Sequence, residues 1–198
     1  MCIRDRETTT NNGWDDVADD FVRHRRTSTI GVATVREWAR AFPSGSAILD
    51  LGCGSGVPIS ATLVETGHRV FGIDASPRLV QEFRRNLPDA PVACEPVESS
   101  ALFGRTFDAV VAWGLMFLLT EADQRSVITN VARVLKPGGR FLFTAPWQKF
   151  AWPDASTRRT SVSLGHDAYI AAIENAGLRL VAEYDDEGDN HYYDTDKA

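Results

Sequence analysis

The stretch Ile48–Gly56 reads ILDLGCGSG, an apolar run that carries Asp50 and breaks into three alternating glycines, Gly52, Gly54 and Gly56. The run before the glycines has the length and residue types of a short buried strand. Glycine at every second position ends it in a tight turn and lets backbone approach a ligand where a side chain would collide. PISATLVETG follows as a helix closed by Gly67. Strand, glycine turn and helix open a parallel α/β sheet, which binds ligands beyond the carboxyl ends of its strands. A pyrophosphate turn has the spacing GxGxxG, and a carboxylate two residues upstream of the first glycine would repel phosphate. The turn therefore suits a ligand other than a bare pyrophosphate.

The same alternation continues downstream. HRVFGID is the second strand, and Ser76 and Pro77 are the cap and first position of a helix that places Leu79, Val80, Phe83 and Leu87 on one face before Pro88 stops it. APVACE is the third strand and TFDAVVAWG a fully buried fourth. Thr120 with Asp123 forms a capping box for a helix whose Ile128, Val131 and Leu135 face inward, and LKPGG is expected to end that helix. RFLFTAP is strand five. Upstream, Trp14, Val17, Ala18, Phe21 and Val22 recur at helical spacing, and a second helical stretch runs from about Ser28 to Phe42. Residues 147–165 hold aromatics, prolines and arginines without period and are expected to form a lid. A helix over 167–176 leads into LRLVAEY and HYY, a hairpin across the acidic turn DDEGDN.

Composition bounds the rest. At 198 residues with 43% hydrophobic and 24% charged residues, one domain is expected. The net charge of −6 argues against general affinity for nucleic acid or an anionic membrane, and the short run RHRR at 23–26 does not overturn this. Cys2, Cys53 and Cys94 offer neither a disulfide framework nor metal-ligand spacing, so a reducing cytoplasm and no metal are expected. No apolar run reaches transmembrane length, and the first residues lack the apolar core of a signal peptide. Residues 1–12, polar and aperiodic, read as a disordered tail that need not be native to the domain.

Asp50 with its glycines, VFGIDAS, CEPVESSALF, FDAVVAWGLMFLL and LKPGGRFLFTAP occur in an order that resembles the class I S-adenosylmethionine-dependent methyltransferases. The resemblance covers Trp14 to the C-terminal hairpin. It implies a Rossmann-like, doubly wound mixed sheet of seven strands with helices on both faces, the last strand antiparallel. Residues 13–44 become a helical cap, 45–146 the cofactor-binding core, 147–165 the lid and 166–198 the closing helix and hairpin. It implies S-adenosylmethionine as cofactor, bound by Asp50, Gly52, Cys53, Gly54 and Gly56, with Asp50 toward its cationic amino-acid end. Asp74 and Ala75 fall at the ribose, Val97 and Glu98 at the adenine, and Trp113 at the end of the fourth strand. The chemistry agrees with this, because the ligand carries cationic groups and hydroxyls but no phosphate, so an acid beside the turn becomes useful.

The expected reaction is in-line methyl transfer to an unidentified small molecule, with a general base needed only where the acceptor must lose a proton. The fourth-strand motif of some family members ends in a histidine; here it reads MFLL, so no base carries over. His191, beside Asn190, Tyr192 and Tyr193, is the first candidate base, with His24 and His166 behind it. Trp14, Phe117 and Trp147 are expected to wall an acceptor pocket, Trp152 is a further candidate wall, and Arg158 and Arg159 could hold an acidic substrate. Cys53 reads as a small turn residue rather than a nucleophile. The alternatives are an NAD(P)-dependent oxidoreductase, which shares the strand, turn and acid after strand two, and a non-catalytic cofactor-binding protein.

Overall fold

The computed structural model describes residues 11–198. Two helices, α1 (Trp14–Arg25) and α2 (Val32–Ala39), precede β1 (Ala47–Leu51), α3 (Ile59–Glu65), β2 (Arg69–Asp74), α4 (Pro77–Asn86) and β3 (Val92–Cys94). Then come β4 (Phe107–Ala112), α5 (Glu121–Val134), β5 (Leu135–Thr144), a hairpin of β6 (Phe150–Pro153) and β7 (Thr160–Ser163), α6 (His166–Asn175), β8 (Leu178–Asp185) and β9 (His191–Lys197). Seven strands form one sheet in the order β3-β2-β1-β4-β5-β9-β8, and β6 and β7 form a sheet of their own. The first five strands of the large sheet run parallel, and β9 is antiparallel to both β5 and β8. Strand order reverses between β1 and β4, where a doubly wound sheet opens a crevice.

Every residue of β1 is buried, because helices cover both of its faces. Leu49 and Leu51 face a core with Val127, Ile128 and Val131 of α5 and Tyr169 and Ile173 of α6. Ile48 faces the opposite core with Val35 and Trp38 of α2 and Ile59 and Leu63 of α3. Strand periodicity puts Asp50 on the Ile48 side, under α3. At the far edge, buried Asp194 of β9 pairs with Arg140 of β5 and accepts from Trp38 Nε1 at 3.2 Å, joining the closing strand to α2.

Three expectations need correction. LKPGG does end α5, whose last residue is Val134, but it also starts β5, so Leu135 belongs to the strand, paired to Phe107, and not to the inward face of the helix. Pro137 has no N–H to extend the helix, Gly138 sits at φ +73°, and the β4–β5 register slips between Phe107 and Ala109 to take up the bulge. The second helix is shorter than 28–42, since Gly31 at φ +78° starts it and a turn follows Ala39. The segment 147–165 has regular structure despite its lack of period. The inward face of β7 is buried but polar, Ser161 and Ser163, so no apolar alternation marks the hairpin in the sequence.

The hairpin hangs on the core through Gln124 of α5, which is fully buried. Its Nε2 donates to the carbonyls of Leu119 at 3.0 Å and Val162 at 2.8 Å, and its Oε1 accepts from the Tyr169 hydroxyl at 2.6 Å. Replacing it strands two carbonyls and a phenol, at about 1–3 kcal/mol for each buried group left unsatisfied. Gln124→Leu is expected to lower stability to urea by roughly 2 kcal/mol or more, and to speed amide exchange across 150–163 ahead of the large sheet. Uniform exchange across both sheets would argue against a hairpin held at this point.

Candidate active site

A cavity of about 580 Å³ opens over the carboxyl ends of β1, β2 and β4 and is roofed by α1. Asp50 and the glycine turn form its floor on one side, Asp74 and Ala75 another, and Val97 and Glu98 a third. Trp113, Gly114 and Leu115 continue the wall beyond β4, and the hairpin turn Asp154–Ser156 reaches the rim.

Asp74 organises the turn. Its Oδ2 accepts from the Gly54 amide and its Oδ1 from the Ser76 amide, each at 2.8 Å. Each oxygen keeps a lone pair, so the carboxylate can still receive two hydroxyls from the cavity. Burial raises its pKa, against the lowering effect of the two amides. Gly54, at φ +54°, lines the cavity, and a β-carbon there would come within 3.2 Å of the Phe21 ring. Ser76 caps α4 by accepting from Leu79 N at 3.2 Å and donates to Asp15 of α1, while Arg78 pairs with Asp19 at 2.6 Å. These contacts fix α1 over the cavity with Trp14, Val17, Phe21, His24 and Arg25 in the lining.

Asp50 is buried beside this turn and accepts from Ser60 Oγ at 2.5 Å. Desolvation pushes its pKa up to about 7, opposed by the Ser60 bond and reinforced by the charge of Asp74. Burial and both carboxylates also push the Cys53 thiol well up, so it stays protonated and is not a nucleophile. One buried and one half-buried acid at a glycine turn disfavour a pyrophosphate and suit a ligand bearing positive charge and hydroxyls.

Of the residues singled out from sequence, Asp50, Gly52, Cys53, Gly54, Asp74, Ala75, Val97, Glu98, Trp113, Trp14 and Phe117 all line this cavity. Gly56 does not; a β-carbon there would meet Phe83 and Leu87 at 2.9 Å, so its role is to pack the turn onto α4. Trp147 also lies elsewhere, 52% exposed with its ring 5.3 Å from that of His166. His191 is outside the lining as well: Nδ1 lies 2.8 Å from Asp185 and Nε2 3.1 Å from Glu183, so both ring nitrogens are already engaged. Arg159 lines an adjoining chamber; Arg158 does not.

His24, ranked below His191 from sequence, does line the cavity. Its Nδ1 lies 2.7 Å from the Asp20 carbonyl oxygen, which can only accept. In the neutral ring Nδ1 therefore carries the hydrogen and Nε2 the lone pair. Helical spacing held this signal, since 14, 17, 21 and 24 fall on one face of α1. Arg25, which sequence reasoning missed, stacks its guanidinium 4.2 Å from the Trp113 ring. Trp113 in turn donates to the Tyr192 hydroxyl at 2.7 Å, and Tyr192 donates to Asp186 at 2.7 Å, fixing that wall.

A family profile described as a methyltransferase domain matches residues 48–139. Demethylmenaquinone methyltransferase of Clavibacter sepedonicus is 30% identical over 179 residues, covering 85% of this chain and 67% of that protein. The cypemycin N-terminal methyltransferase of a Streptomyces species is 34% identical over 136 residues, 67% of this chain and 55% of that protein. The chain belongs to the class I S-adenosylmethionine-dependent methyltransferases. It spans about half the length of several curated relatives it matches. Among solved structures, magnesium protoporphyrin IX methyltransferase of Synechocystis with bound S-adenosylhomocysteine has a TM-score of 0.76 at 14% identity, covering 98% of this chain and 100% of that one. An S-adenosylmethionine-bound amino pentose methyltransferase from Micromonospora echinaspora gives 0.72 at 20%, covering 92% and 97%. These two likenesses establish the seven-stranded fold.

The raised pKa of Asp50 has a sign that can be measured. The folded chain keeps a proton that the unfolded chain releases near pH 4, so this group's contribution to stability falls as pH rises from about 4 to about 7 and is level above. Asp50→Asn is expected to gain stability relative to the parent across that window in urea unfolding of the ligand-free chain. A difference between the two that does not change with pH would refute the assigned titration.

Proposed function

We propose that the chain transfers a methyl group from S-adenosylmethionine to a small-molecule acceptor. The observation that carries this reading is the pair of acids, buried Asp50 and half-buried Asp74, set around a glycine turn in one cavity with an aromatic roof. Asp74 would receive the ribose hydroxyls, Glu98 and Val97 would face the adenine, and Asp50 would favour the cationic amino-acid end. When bound, S-adenosylmethionine supplies an electrophilic methyl on a positively charged sulfur. The chain's own part is to hold the acceptor in line with that methyl, exclude water with α1 and the hairpin, and accept a proton where the acceptor has one to lose.

For that proton we assign His24 in place of His191, because His24 presents a ring nitrogen with a lone pair in the cavity lining. The family assignment sets aside the oxidoreductase alternative; the non-catalytic alternative is tested by transfer itself. No helix among the described residues is long and apolar enough to cross a membrane. Buried Cys53 and exposed Cys94 are both free thiols, which supports a reducing cytoplasm as the working compartment. The acidic net charge supports small molecules rather than nucleic acid as partners.

Two measurements test the reading. S-adenosylhomocysteine is expected to raise the melting temperature while NAD does not, and labelled methyl is expected to pass from S-adenosylmethionine to a component of a metabolite extract. Stabilisation by NAD alone, or no transfer to any fraction, would overturn it. With an acceptor in hand, His24→Gln should cut kcat near neutral pH by about 10²-fold or more, recovering as pH rises. His191→Gln should leave kcat within a few-fold of the parent. The reverse pattern would restore His191 to the role.

A further inference from the structure

Arg25, in the last turn of α1, is a cation of the cavity lining without a counter-charge: its guanidinium makes no hydrogen bond or ion pair with any described residue. It lies over two rings of the same lining, its central carbon 5.2 Å from the centre of Phe21 and 4.2 Å from that of Trp113. Burial lowers its pKa, yet a guanidinium stays charged throughout the neutral range. Acids of the surrounding elements are engaged elsewhere. Asp20 of α1 pairs with Arg23 at 2.9 Å, Asp154 at the rim accepts from the amides of Ser156 and Thr157, and Asp186 accepts from Gly188, Asn190 and Tyr192.

The platform beneath Arg25 is fixed. Trp113 donates to the Tyr192 hydroxyl at 2.7 Å, and a β-carbon on Gly31 would come within 2.6 Å of the same indole nitrogen, so the ring is closed in from behind. Stacking uses the flat face of a guanidinium and leaves the N–H donors around its edge free. That edge matches a carboxylate, which accepts two parallel N–H bonds in one plane. A cation desolvated against rings and given no acid gains most from an anion that arrives with the ligand. Trp14, Phe21, Trp113 and Phe117 also give the cavity aromatic walls, which suit a flat ring.

We propose that Arg25 determines acceptor specificity by receiving a carboxylate, and that the acceptor is an aromatic acid bound as its anion. The inference rests on the methyltransferase reading for the word acceptor, whereas the charge preference is measured without transfer. A carboxylate in this cavity has one other source, the amino-acid end of the cofactor. Phe21 covers Gly54 of the glycine turn, and Arg25 stands one helical turn further along α1 with its charge nearer Trp113, which favours the acceptor as the source.

The test titrates the full chain with benzoate and with benzamide, alike in ring and shape but different in charge, with S-adenosylhomocysteine saturating and absent. Indole N–H resonances report binding, and that of Trp113 is identified by its loss in Trp113→Phe. Benzoate is expected to bind at least about tenfold more tightly than benzamide and to move the Trp113 resonance. Arg25→Gln should cut benzoate affinity about tenfold and leave benzamide within about twofold, while Arg25→Lys, a point charge without the fork, keeps part of the preference. In calorimetry, S-adenosylhomocysteine should outbind its decarboxylated analogue by the same ratio in the parent and in Arg25→Gln. Failure of benzoate to outbind benzamide, a benzoate affinity untouched by Arg25→Gln, or a loss shared equally by benzamide would overturn the proposal. So would collapse of the calorimetric ratio in Arg25→Gln, which would give Arg25 to the cofactor. Failure of the parent chain to bind S-adenosylhomocysteine would instead defeat the methyltransferase reading, whatever the two probes do.

Discussion

The Asp74 carboxylate holds the site together. By accepting from Gly54 and Ser76 it ties the turn after β1 to the start of α4, two segments about twenty residues apart that meet only because β1 and β2 are parallel neighbours. Ser76 passes the constraint on through Asp15 to α1, so the roof of the cavity is registered to its floor by a short chain of polar contacts. Asp74 is thus half structural strut and half open acceptor. That division is consistent with a carboxylate whose desolvation is offset by two backbone donors rather than by a cationic side chain.

Asp50 works differently. It lies deeper, with one hydroxyl as partner and a second carboxylate nearby, so its charge is poorly compensated in the ligand-free chain. A stability-minded sequence would place an apolar residue on this fully buried strand. Retaining an acid there makes sense if a cation offsets the cost when it binds, and the same acid would disfavour a phosphate-bearing nucleotide. Burial cost and ligand preference therefore have one origin.

Much of this was legible in the sequence because local and tertiary demands agreed. The run from Ile48 to Gly56 specified a buried strand, a turn and a ligand charge type at once, and Ser76 with Pro77 fixed the start of α4. Where one signal served two structures the reading was incomplete: Pro137 and Gly138 both stop α5 and build the bulge that opens β5, and only the pairing of Leu135 with Phe107 reveals the second role. His191 looked placed for chemistry from its neighbours in sequence, but Glu183, across the hairpin, occupies its ring. His24 was readable from the face it shares with Trp14 and Phe21, yet its tautomer depends on a carbonyl contact that no composition records. The chamber beside the first cavity was invisible, since it depends on how a hairpin without apolar periodicity lies against α5.

That hairpin is built as a detachable part. It pairs with no strand of the large sheet, and buried Gln124 is a principal grip on it, so its sequence can drift without disturbing the register of the seven strands. The floor and roof of the cavity belong to the sheet and α1, while the hairpin adds only its turn, Asp154–Ser156, at the rim. Sequence change confined to this one cover would then reshape the rim of the cavity while Asp50, buried in β1, stays in place.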